Sequence, residues 1–325
     1  METDKTTLND LSIFNNEDEF SVFNKLNLTR TTGGREKLRQ IFSKSLNDID
    51  SVKNVQKTLQ IILEKQSQWP LYISNGTVMM VYKFYESSID EPPSRPTPIS
   101  AYLYKLFHGP DFSLIKYSSG HAFDFIKGMR QIVTVFLNDD TPLNLKKLLE
   151  KASILIQKHQ FEVVFQKEKA EDLYHSEMLS FAYFIRYHYK QNFFELIDIY
   201  SQLDAWFAMA TAVKKFDLSF PVFIGSEKPA LKAKQLYHVL LKDPIAYDVE
   251  LSQQNSFIFL TGANMAGKST FIKAVGSAVF LAHIGMGVPA QSMELSLFDG
   301  LLSNINVVDN IVKGESYFYN EVQRI

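Results

Sequence analysis

The residues best suited to chemistry in this chain form one short run near its C-terminal end, Thr261-Gly262-Ala263-Asn264-Met265-Ala266-Gly267-Lys268-Ser269-Thr270. The run fits the pattern G-x-x-x-x-G-K-[ST] at every required position. Its two glycines allow backbone conformations in which consecutive N–H groups turn inward around phosphate oxygens. The lysine adds a mobile positive charge, and the hydroxyl that follows it can coordinate Mg²⁺. The run therefore predicts a binding loop for a nucleoside triphosphate.

The residues on either side predict the elements that must position this loop. The preceding run, Phe257-Ile258-Phe259-Leu260, is short, apolar and aromatic, which predicts a buried strand. After the loop, apolar side chains recur at helical spacing, so we expect a helix whose N-terminus directs its positive dipole end at the anion. These side chains are Phe271, Ala274, Val275, Ala278, Val279 and Ala282. The expected order is strand, loop and helix.

Composition limits the classes of protein to consider. The chain has 325 residues, enough for two domains, and 46% of them are hydrophobic, as in ordinary globular proteins. Its formal net charge of −2 gives no overall electrostatic footprint for nucleic acid, so a DNA contact needs a local basic face or other regions. The chain contains no cysteine, which excludes disulfides and thiolate metal sites.

The N-terminus carries no targeting signal that we can identify. Met1-Glu2-Thr3-Asp4-Lys5 lacks the basic start and apolar core of a signal peptide. The chain also has no stretch of ~18 uncharged apolar residues, the length that a membrane-spanning helix needs. We therefore expect a soluble cytoplasmic protein with no membrane partner.

The spacing of apolar residues predicts two domains. Residues 1–216 have apolar positions at three- and four-residue steps and few hairpin signals, which predicts a helical domain. Near Asp217-Leu218-Ser219-Phe220-Pro221 the period shifts to short apolar runs, so we expect an α/β domain over residues 217–325.

Within the first domain, several local signals predict where helices begin and end. One helix is expected to begin near Gly33-Gly34, and the next to have Asp48 or Asp50 as its N-cap. The proline-rich residues 91–98 predict a loop. Residues 161–165 fit either a helix or a strand.

Two separated stretches of the chain resemble the MutS family of DNA mismatch-repair ATPases. The loop contains the pair Asn264-Met265, which other phosphate-loop families do not commonly share. Near the C-terminus the resemblance continues through residues 287–290, 298–299, 309–310 and 314–321. At the other end, residues 10–14 and 28–38 resemble the start of that family's helical core. The resemblance implies a multidomain α and α/β fold, with a long-helix core and lever domain followed by a P-loop NTPase domain of the ABC type.

The resemblance also implies roles for individual residues. Residues 262–270 would hold the phosphates, with Lys268 as electrostatic anchor and Ser269 as magnesium ligand, so ATP and Mg²⁺ are the expected cofactors. Ser316 would reach across a homodimer interface to the γ-phosphate bound by the partner. Tyr247 is a candidate for stacking on adenine, because an aromatic face suits a base, although a partly buried tyrosine is the alternative.

The chain departs from the family pattern in three respects. It has no counterpart of the mismatch-reading domain, and its helical region is too short to include the β-rich clamp. It stops at Ile325, before the strand in which the family carries its Walker B carboxylates, so the predicted ATPase domain is incomplete at its C-terminus. We expect this chain alone to bind nucleotide poorly and to hydrolyse it very slowly. It is either a fragment of a longer protein or a degenerate member.

Two functions remain as hypotheses. The first is a MutS-like, DNA-associated ATPase of the mismatch-repair or DNA-processing type, with duplex or branched DNA as partner and an ATP site composite across a dimer. The second is a nucleotide-responsive interaction or scaffold protein without DNA-repair activity. A basic and aromatic cluster could contact a DNA backbone, but it fits an amphipathic helix with packed tyrosines and solvated cations better. Its residues are Tyr183, Arg186, Tyr187, Tyr189 and Lys190.

Overall fold

The computed structural model describes residues 1–15, 20–225 and 228–305, and this part of the chain is mostly helical with small sheets. The α-helices are α1 (Lys5–Asp10), α2 (Val22–Leu26), α3 (Thr32–Ser43), α4 (Ile49–Glu64), α5 (Asn75–Glu86), α6 (Pro98–Phe107), α7 (Gly109–Phe136), α8 (Leu143–Ile156), α9 (Glu162–Gln166), α10 (His175–Tyr183), α11 (Lys190–Lys215) and α12 (Lys268–His283). The strands are β1 (Glu2–Thr3), β2 (Val222–Phe223), β3 (Leu231–Leu236), β4 (Tyr247–Leu251), β5 (Ser292–Leu295) and β6 (Gly300–Leu301).

The chain forms two compact units that interleave along the sequence. The first comprises Met1–Leu28, Arg39–Leu59 and the residues from Met209 onward, and the second comprises Thr29–Leu38 and Gln60–Ala208. Three of the four unit boundaries fall within helices, namely α3, α4 and α11. The functional domains 1–216 and 217–325 stay a prediction.

The second unit is built from helices alone, and short polar signals set where several of them begin. Helix α5 begins after Ser74, whose hydroxyl accepts from the backbone N–H of Thr77 in a capping box. Helix α6 begins in the same way after Thr97, with Pro98 at its first position. The loop predicted from the prolines of residues 91–98 is confirmed as far as Pro98, where α6 begins. Residues 161–165, which fitted either a helix or a strand, are helical and form the end of a 3₁₀ turn and most of α9.

Aromatic rings fill the core of the second unit. The ring of Phe125 on α7 lies 5.3 Å from that of Phe193 and 5.7 Å from that of Tyr200, both on α11. Near the end of α11, the ring of Phe207 stacks on Trp69 at 4.4 Å. Edge and stacked contacts of this kind add to the gain from burial and hold the two longest helices of this unit together.

The first unit contains all the strands of the described residues. Its four-stranded sheet has the order β2-β5-β3-β4, with β2 and β5 parallel and the other pairs antiparallel. A separate parallel pair joins β1 to β6. Also in this unit, Asp48 caps α4 by accepting from the backbone N–H of Ser51 at 2.6 Å, which confirms one of the two predicted N-caps.

The strand predicted before the phosphate loop is wrong. Residues 257–260 form no strand, and their side chains are exposed, with Phe257 77% and Phe259 79% accessible. A strand needs a neighbour with which to exchange backbone hydrogen bonds. Within the described residues, the four-stranded sheet ends at β4 and no segment pairs with residues 257–260. The apolar pattern is that of a strand, but the described fold gives it no partner.

The helix predicted after the loop is confirmed as α12. Its buried face includes Ala274, Ala278, Val279 and Ala282, as the helical spacing requires. Among the described residues, no helix is long and apolar enough to cross a membrane.

Candidate functional site: the phosphate loop

Residues 262–267 form a turn that leads directly into the N-terminus of α12. Gly267 is the N-cap, with φ of 87° and ψ of 9°, and Gly262 has φ of 154°. L side chains rarely adopt such values, so glycine is required here. Within the turn, Met265 also has a positive φ, of 66°, and the N–H of Ala266 donates to the carbonyl of Ala263 at 3.2 Å. The glycines predicted to shape the loop therefore do so.

The ammonium group of Lys268 lies inside this turn. Its Nζ donates to the carbonyl oxygens of Gly262 at 2.6 Å and Ala263 at 2.7 Å. An ammonium group has three N–H donors, so one remains for another acceptor. The loop thus holds a positive charge at the start of α12 with donor capacity to spare.

The local electrostatics favour an anion. The first turn of α12 contains no acidic residue, and none occurs between Thr261 and Ile272. The positive end of the α12 dipole adds to the Lys268 charge, because backbone N–H groups of the first turn have no intrahelical acceptor. Ser269 is exposed at the second position of the helix, so its hydroxyl is accessible to a metal ion.

Tyr247, the candidate for adenine stacking, packs against the first turns of α12. Its ring centroid lies 4.8 Å from that of Phe271, and its hydroxyl donates to the carbonyl oxygen of Phe271 at 3.4 Å. Burial raises the pKa of the Tyr247 hydroxyl to about 12. The residue therefore lies one helical turn beyond the loop, and its contact with adenine stays a prediction.

Two N-terminal residues hold α12 from the side. Gly276 lies so close to Leu11 that an added Cβ would be 2.5 Å from a Leu11 methyl carbon. On the same helix, Lys273 donates to the hydroxyl of Ser12 at 3.3 Å. The segment 10–14, which resembles the start of the MutS core, thus contacts the helix that follows the loop.

His283 holds the other end of α12, a role that the sequence did not reveal. Its Nδ1 donates to the carbonyl of Val279 at 2.8 Å, and its Nε2 accepts from the backbone N–H of Phe298 at 3.0 Å. The His283 carbonyl accepts from the N–H of Leu46 at 2.8 Å. Burial is the main cause that lowers the pKa of this imidazole. A neutral imidazole, with one N–H donor and one acceptor nitrogen, satisfies both side-chain bonds. In the sequence, the one signal for this role was the position of His283 at the end of the apolar helical pattern.

His238 is a second buried histidine that the sequence did not mark. Its Nδ1 accepts from the backbone N–H of Leu240 at 3.3 Å, while its Nε2 has no hydrogen-bond partner among the described residues. Burial, together with the nearby charge of Lys273, lowers its pKa to about 4. His238 is therefore neutral at physiological pH.

The basic and aromatic cluster on α10 and α11 is a packing feature. Tyr189 is buried as expected, and the rings of Tyr183 and Tyr187 lie 5.0 Å apart, but Tyr187 is 43% accessible, so the tyrosines are only partly packed. Arg186, which we expected to be solvated, instead donates to the carbonyl oxygens of Phe84 and Ser87 at the end of α5. The correction has a physical reason. Residues Phe184–His188 form a π-helical turn, and a side chain from that turn satisfies carbonyls that α5 leaves without intrahelical donors.

One group of potential metal ligands occurs where α6 meets α7. Atoms of Asp90, His108 and Asp111 lie within 4.8 Å of one another. The His108 Nδ1 is 3.0 Å from a carboxylate oxygen of Asp90, and Asp111 accepts from the backbone N–H of Asp90 at 2.9 Å. These bonds explain why the three side chains lie close together, because they join the end of α6 to the start of α7.

Comparison with curated proteins finds DNA mismatch repair proteins among the relatives of this chain. The DNA mismatch repair protein MSH3 of Meyerozyma guilliermondii is 32% identical over 169 residues, covering 47% of this chain and 17% of that protein. The MSH3 protein of Candida glabrata is 32% identical over 127 residues, covering 38% of this chain and 12% of that protein. The DNA mismatch repair protein MutS of Petrotoga mobilis is 31% identical over 128 residues, covering 38% of this chain and 16% of that protein.

The match to a family model begins just before the loop. The model described as MutS domain V matches residues 258–325, which include the loop and all of α12. Residues 258–325 are therefore similar to the MutS family. The chain spans less than a fifth of the length of each relative named above. The predicted γ-phosphate contact, Ser316, and the neighbouring segment 314–321 lie outside the described residues.

Proposed function

We propose that this chain is a MutS-family protein that binds ATP with Mg²⁺ at residues 262–270, within a DNA-associated ATPase of the mismatch-repair or DNA-processing type. The observation that carries the proposal is the shape of the loop: two glycines with positive φ direct the chain into α12, and Lys268 Nζ lies inside the turn. Backbone donors, a helix N-terminus and an ammonium group are the set that binds polyphosphate.

The residues of the loop have distinct tasks in this proposal. The backbone N–H groups and the third donor of Lys268 bind phosphate oxygens. The hydroxyl of Ser269 is one ligand of Mg²⁺, a hard cation that prefers oxygen, and the bound ion neutralises charge on the phosphates. Tyr247 stacks on the adenine.

Hydrolysis requires more than the described residues provide. In phosphate-loop ATPases, a further carboxylate helps to hold the metal and another group orients the attacking water. We propose that the site is completed across a homodimer, with Ser316 of one copy reaching the γ-phosphate bound to the other. ATP then favours one arrangement of the two copies.

Replacement of the lysine tests the nucleotide site. In the full-length protein, Lys268→Ala removes the mobile charge and we expect ATP affinity to fall by at least ~tenfold, which corresponds to about 1.4 kcal/mol. Lys242→Ala is the matched control, because Lys242 is also an exposed cation of the first unit but lies outside the loop. Titration calorimetry with ATP and Mg²⁺ measures both. Equal affinity in the two variants would refute the assignment.

DNA binding separates the proposal from the alternative of an interaction or scaffold protein. Contacts with phosphates release counterions, so affinity for duplex or branched DNA must fall as salt concentration rises. We expect this dependence in fluorescence anisotropy titrations of the full-length protein. If no binding is measurable even at low salt, the scaffold function replaces the DNA-associated one while the nucleotide assignment stands on its own test.

A further inference from the structure

A cavity of about 490 Å³ lies in the second unit, between the N-terminal half of α7, the end of α6 and α10. Its volume is within the ~300–1,000 Å³ that is typical of small-molecule sites. The floor is apolar, since Phe112 and Met178 are both 4% accessible. We call this space the α7 cavity. Its rim is charged, and the charged or titratable side chains that line it are Lys105, Lys116, His121, Asp124 and Glu171.

The charges of the α7 cavity are divided along α7. Phe112, Lys116, Gly120 and Asp124 recur every four residues, so they follow one face of the helix. An α-helix rises about 1.5 Å per residue, which puts the Asp124 position about 12 Å along the axis from the Lys116 position. The cavity therefore has one end near Phe112 and another near Asp124, and these ends differ in charge.

The end near Phe112 is basic. The Nζ of Lys105 lies 5.5 Å from the centroid of the Phe112 ring, and the ring of His175 packs edge-on against the same ring at 5.0 Å. Burial is the main cause that lowers the pKa of His175, and the charges of Lys105 and Lys116 lower it further. Asp111, the nearest carboxylate in sequence, accepts a backbone N–H at 2.9 Å. Neither lysine takes part in the ion pairs between described residues.

The end near Asp124 is acidic. Burial is the main cause that raises the pKa of the Asp124 carboxyl, and the charge of Glu171 raises it further, while His121 and Lys127 act in the opposite direction. Lys127 is engaged elsewhere, since its Nζ donates to the backbone carbonyl oxygens of residues 167–168. Within the described part of the chain, neither Asp124 nor Glu171 forms an ion pair. Two carboxylates thus line this end without a paired cation.

The other charged side chains next to the acidic end do not reverse this division. Lys167 pairs with Glu177 at 3.7 Å, and the carboxylate of Asp172 accepts from the backbone N–H of Lys169 at 3.0 Å. Glu168 and Lys169 are exposed, opposite in charge and outside the lining of the cavity.

We propose that the α7 cavity binds a short zwitterionic peptide of about three residues. Its C-terminal carboxylate binds Lys105 and Lys116, because charge-assisted hydrogen bonds to ammonium groups are strong. Its N-terminal ammonium binds Asp124 and Glu171, and an apolar C-terminal side chain covers Phe112. Three extended residues span about 10 Å, which matches the distance between the two charged ends. Capture of a free carboxylate and a free amine is an established mode of peptide recognition.

Ligands of a single sign fit this cavity less well. An anion alone, or a nucleic-acid strand with its row of phosphates, would bring negative charge to Asp124 and Glu171. A cation alone would be repelled by Lys105 and Lys116. Convergent polar groups with shifted pKa values around an apolar floor are the usual features of a binding site. None of residues 262–270 lines the α7 cavity, so the proposal is separate from the nucleotide site.

Peptides with blocked ends test the proposal. The probe is glycyl-alanyl-phenylalanine with both ends free, titrated at up to millimolar concentration into the full-length protein and followed by calorimetry. We expect binding, and we expect the affinity to fall at least ~tenfold when the C-terminus is amidated or the N-terminus is acetylated. No measurable binding of the free peptide, or equal affinity for the blocked peptides, would overturn the proposal.

Substitutions assign each end of the peptide to its side chains. Lys116→Met should weaken binding of the free peptide at least ~tenfold but leave the affinity for the amidated peptide unchanged. Asp124→Asn should weaken binding of the free peptide and leave the affinity for the acetylated peptide unchanged. Lys147→Met and Glu150→Gln, at exposed positions of α8, are the matched controls and should have no effect.

This pairing of variant and blocked peptide distinguishes binding from a structural role. A side chain that only supports the fold would weaken binding of the free and blocked peptides alike, and that result would overturn the assignment. Circular dichroism establishes that each variant is folded.

A ligand without peptide groups tests the class of ligand. The ω-amino acid ω-aminooctanoate carries both end charges at a similar separation but has no side chain to cover Phe112. We expect it to bind at least ~tenfold more weakly than the tripeptide, because it leaves the apolar floor uncovered. Equal affinity would overturn the assignment to a peptide. None of these measurements involves nucleotide, so their failure would leave the proposed function unaffected.

Discussion

The carboxylate of Asp204 accepts hydrogen bonds from both the backbone N–H and the hydroxyl of Thr31, at 2.9 and 2.7 Å. The N–H of Arg30 also donates to this carboxylate, at 3.1 Å. Asp204 is fully buried on α11, and Thr31 immediately precedes α3. Burial is the main cause that raises the pKa of the Asp204 carboxyl, against the hydrogen bonds that lower it. One buried acceptor thus fixes the start of α3 onto α11 within the second unit.

Replacing this carboxylate should destabilise the second unit. Asp204→Asn puts an amide donor among N–H groups that need an acceptor, so we expect the free energy of unfolding to fall by about 1–3 kcal/mol. Denaturant titration followed by the fluorescence of Trp69 and Trp206, both in this unit, measures the change. The control is Asp198→Asn, which removes an ion pair with Lys37 on the exposed side of α11 and should cost less than ~1 kcal/mol. Equal effects of the two substitutions would contradict this account.

The buried imidazole of His238 predicts a pH dependence of the first unit. Its pKa is lowered from 6.5 to about 4, so between these values the unfolded chain takes up a proton that the folded chain does not. The neutral buried imidazole therefore makes its full contribution to the free energy of unfolding above pH 6.5. As the pH falls toward 4 this contribution is lost, and the free energy of unfolding decreases by about 2 kcal/mol after allowance for partial screening. His238→Asn keeps an acceptor for Leu240 and should flatten this part of the stability curve. His159→Asn, at an exposed histidine, should not.

The conformation of Gly267 predicts that even a methyl group weakens the phosphate loop. Gly267→Ala forces an L residue to φ of 87°, which costs about 1–2 kcal/mol, and the loop can avoid this cost by changing shape. We expect an order-of-magnitude loss of ATP affinity with α12 still folded. Gly225→Ala is the matched control, since its added Cβ meets open space and its φ is not positive. Unchanged affinity for Gly267→Ala would show that the loop binds in another conformation.

Arg186 should matter for stability and little for DNA. Arg186→Met leaves the carbonyls of Phe84 and Ser87 without their charged donor, for which we expect a loss of about 1.5–3 kcal/mol in the free energy of unfolding. Lys190→Met is the comparison, because Lys190 lies over the rings of Tyr85 and Phe194 and should contribute less than ~1 kcal/mol. A variant with normal stability but a reduced salt dependence of DNA binding would instead assign Arg186 to the DNA contact.

The exposed run before the loop should make this chain prone to aggregate. Phe257 and Phe259 are more than three-quarters accessible, and an unpaired apolar run of high β propensity is a known aggregation hazard. The double substitution Phe257→Ser and Phe259→Ser should lower binding of a hydrophobic dye and slow light-scattering growth of the 325-residue chain without reducing its stability. A large loss of stability would mean that these rings are packed in solution.

Local sequence was sufficient for features that depend on local chemistry. The loop at residues 262–267, α12, the Asp48 cap and the proline-rich loop before α6 all depend on backbone freedom, capping or helical spacing within a few residues. These interactions are made with near neighbours in the chain, so the same residues that form the pattern also form the structure.

The tertiary structure decided which patterns find a partner. Residues 257–260 have a strand pattern but no neighbouring strand in the described fold, and Ile99 and Phe107 of α6 belong to an apolar helical pattern but lie in solvent. Arg186 was expected in solvent, yet it binds the end of α5 more than ninety positions away. By itself the sequence determined the glycine turn at residues 262–267, the helix that follows it and the family resemblance. Burial and long-range pairing depended on the tertiary structure, because hydrogen-bond and packing partners distant in sequence are set by the whole chain and not by local spacing.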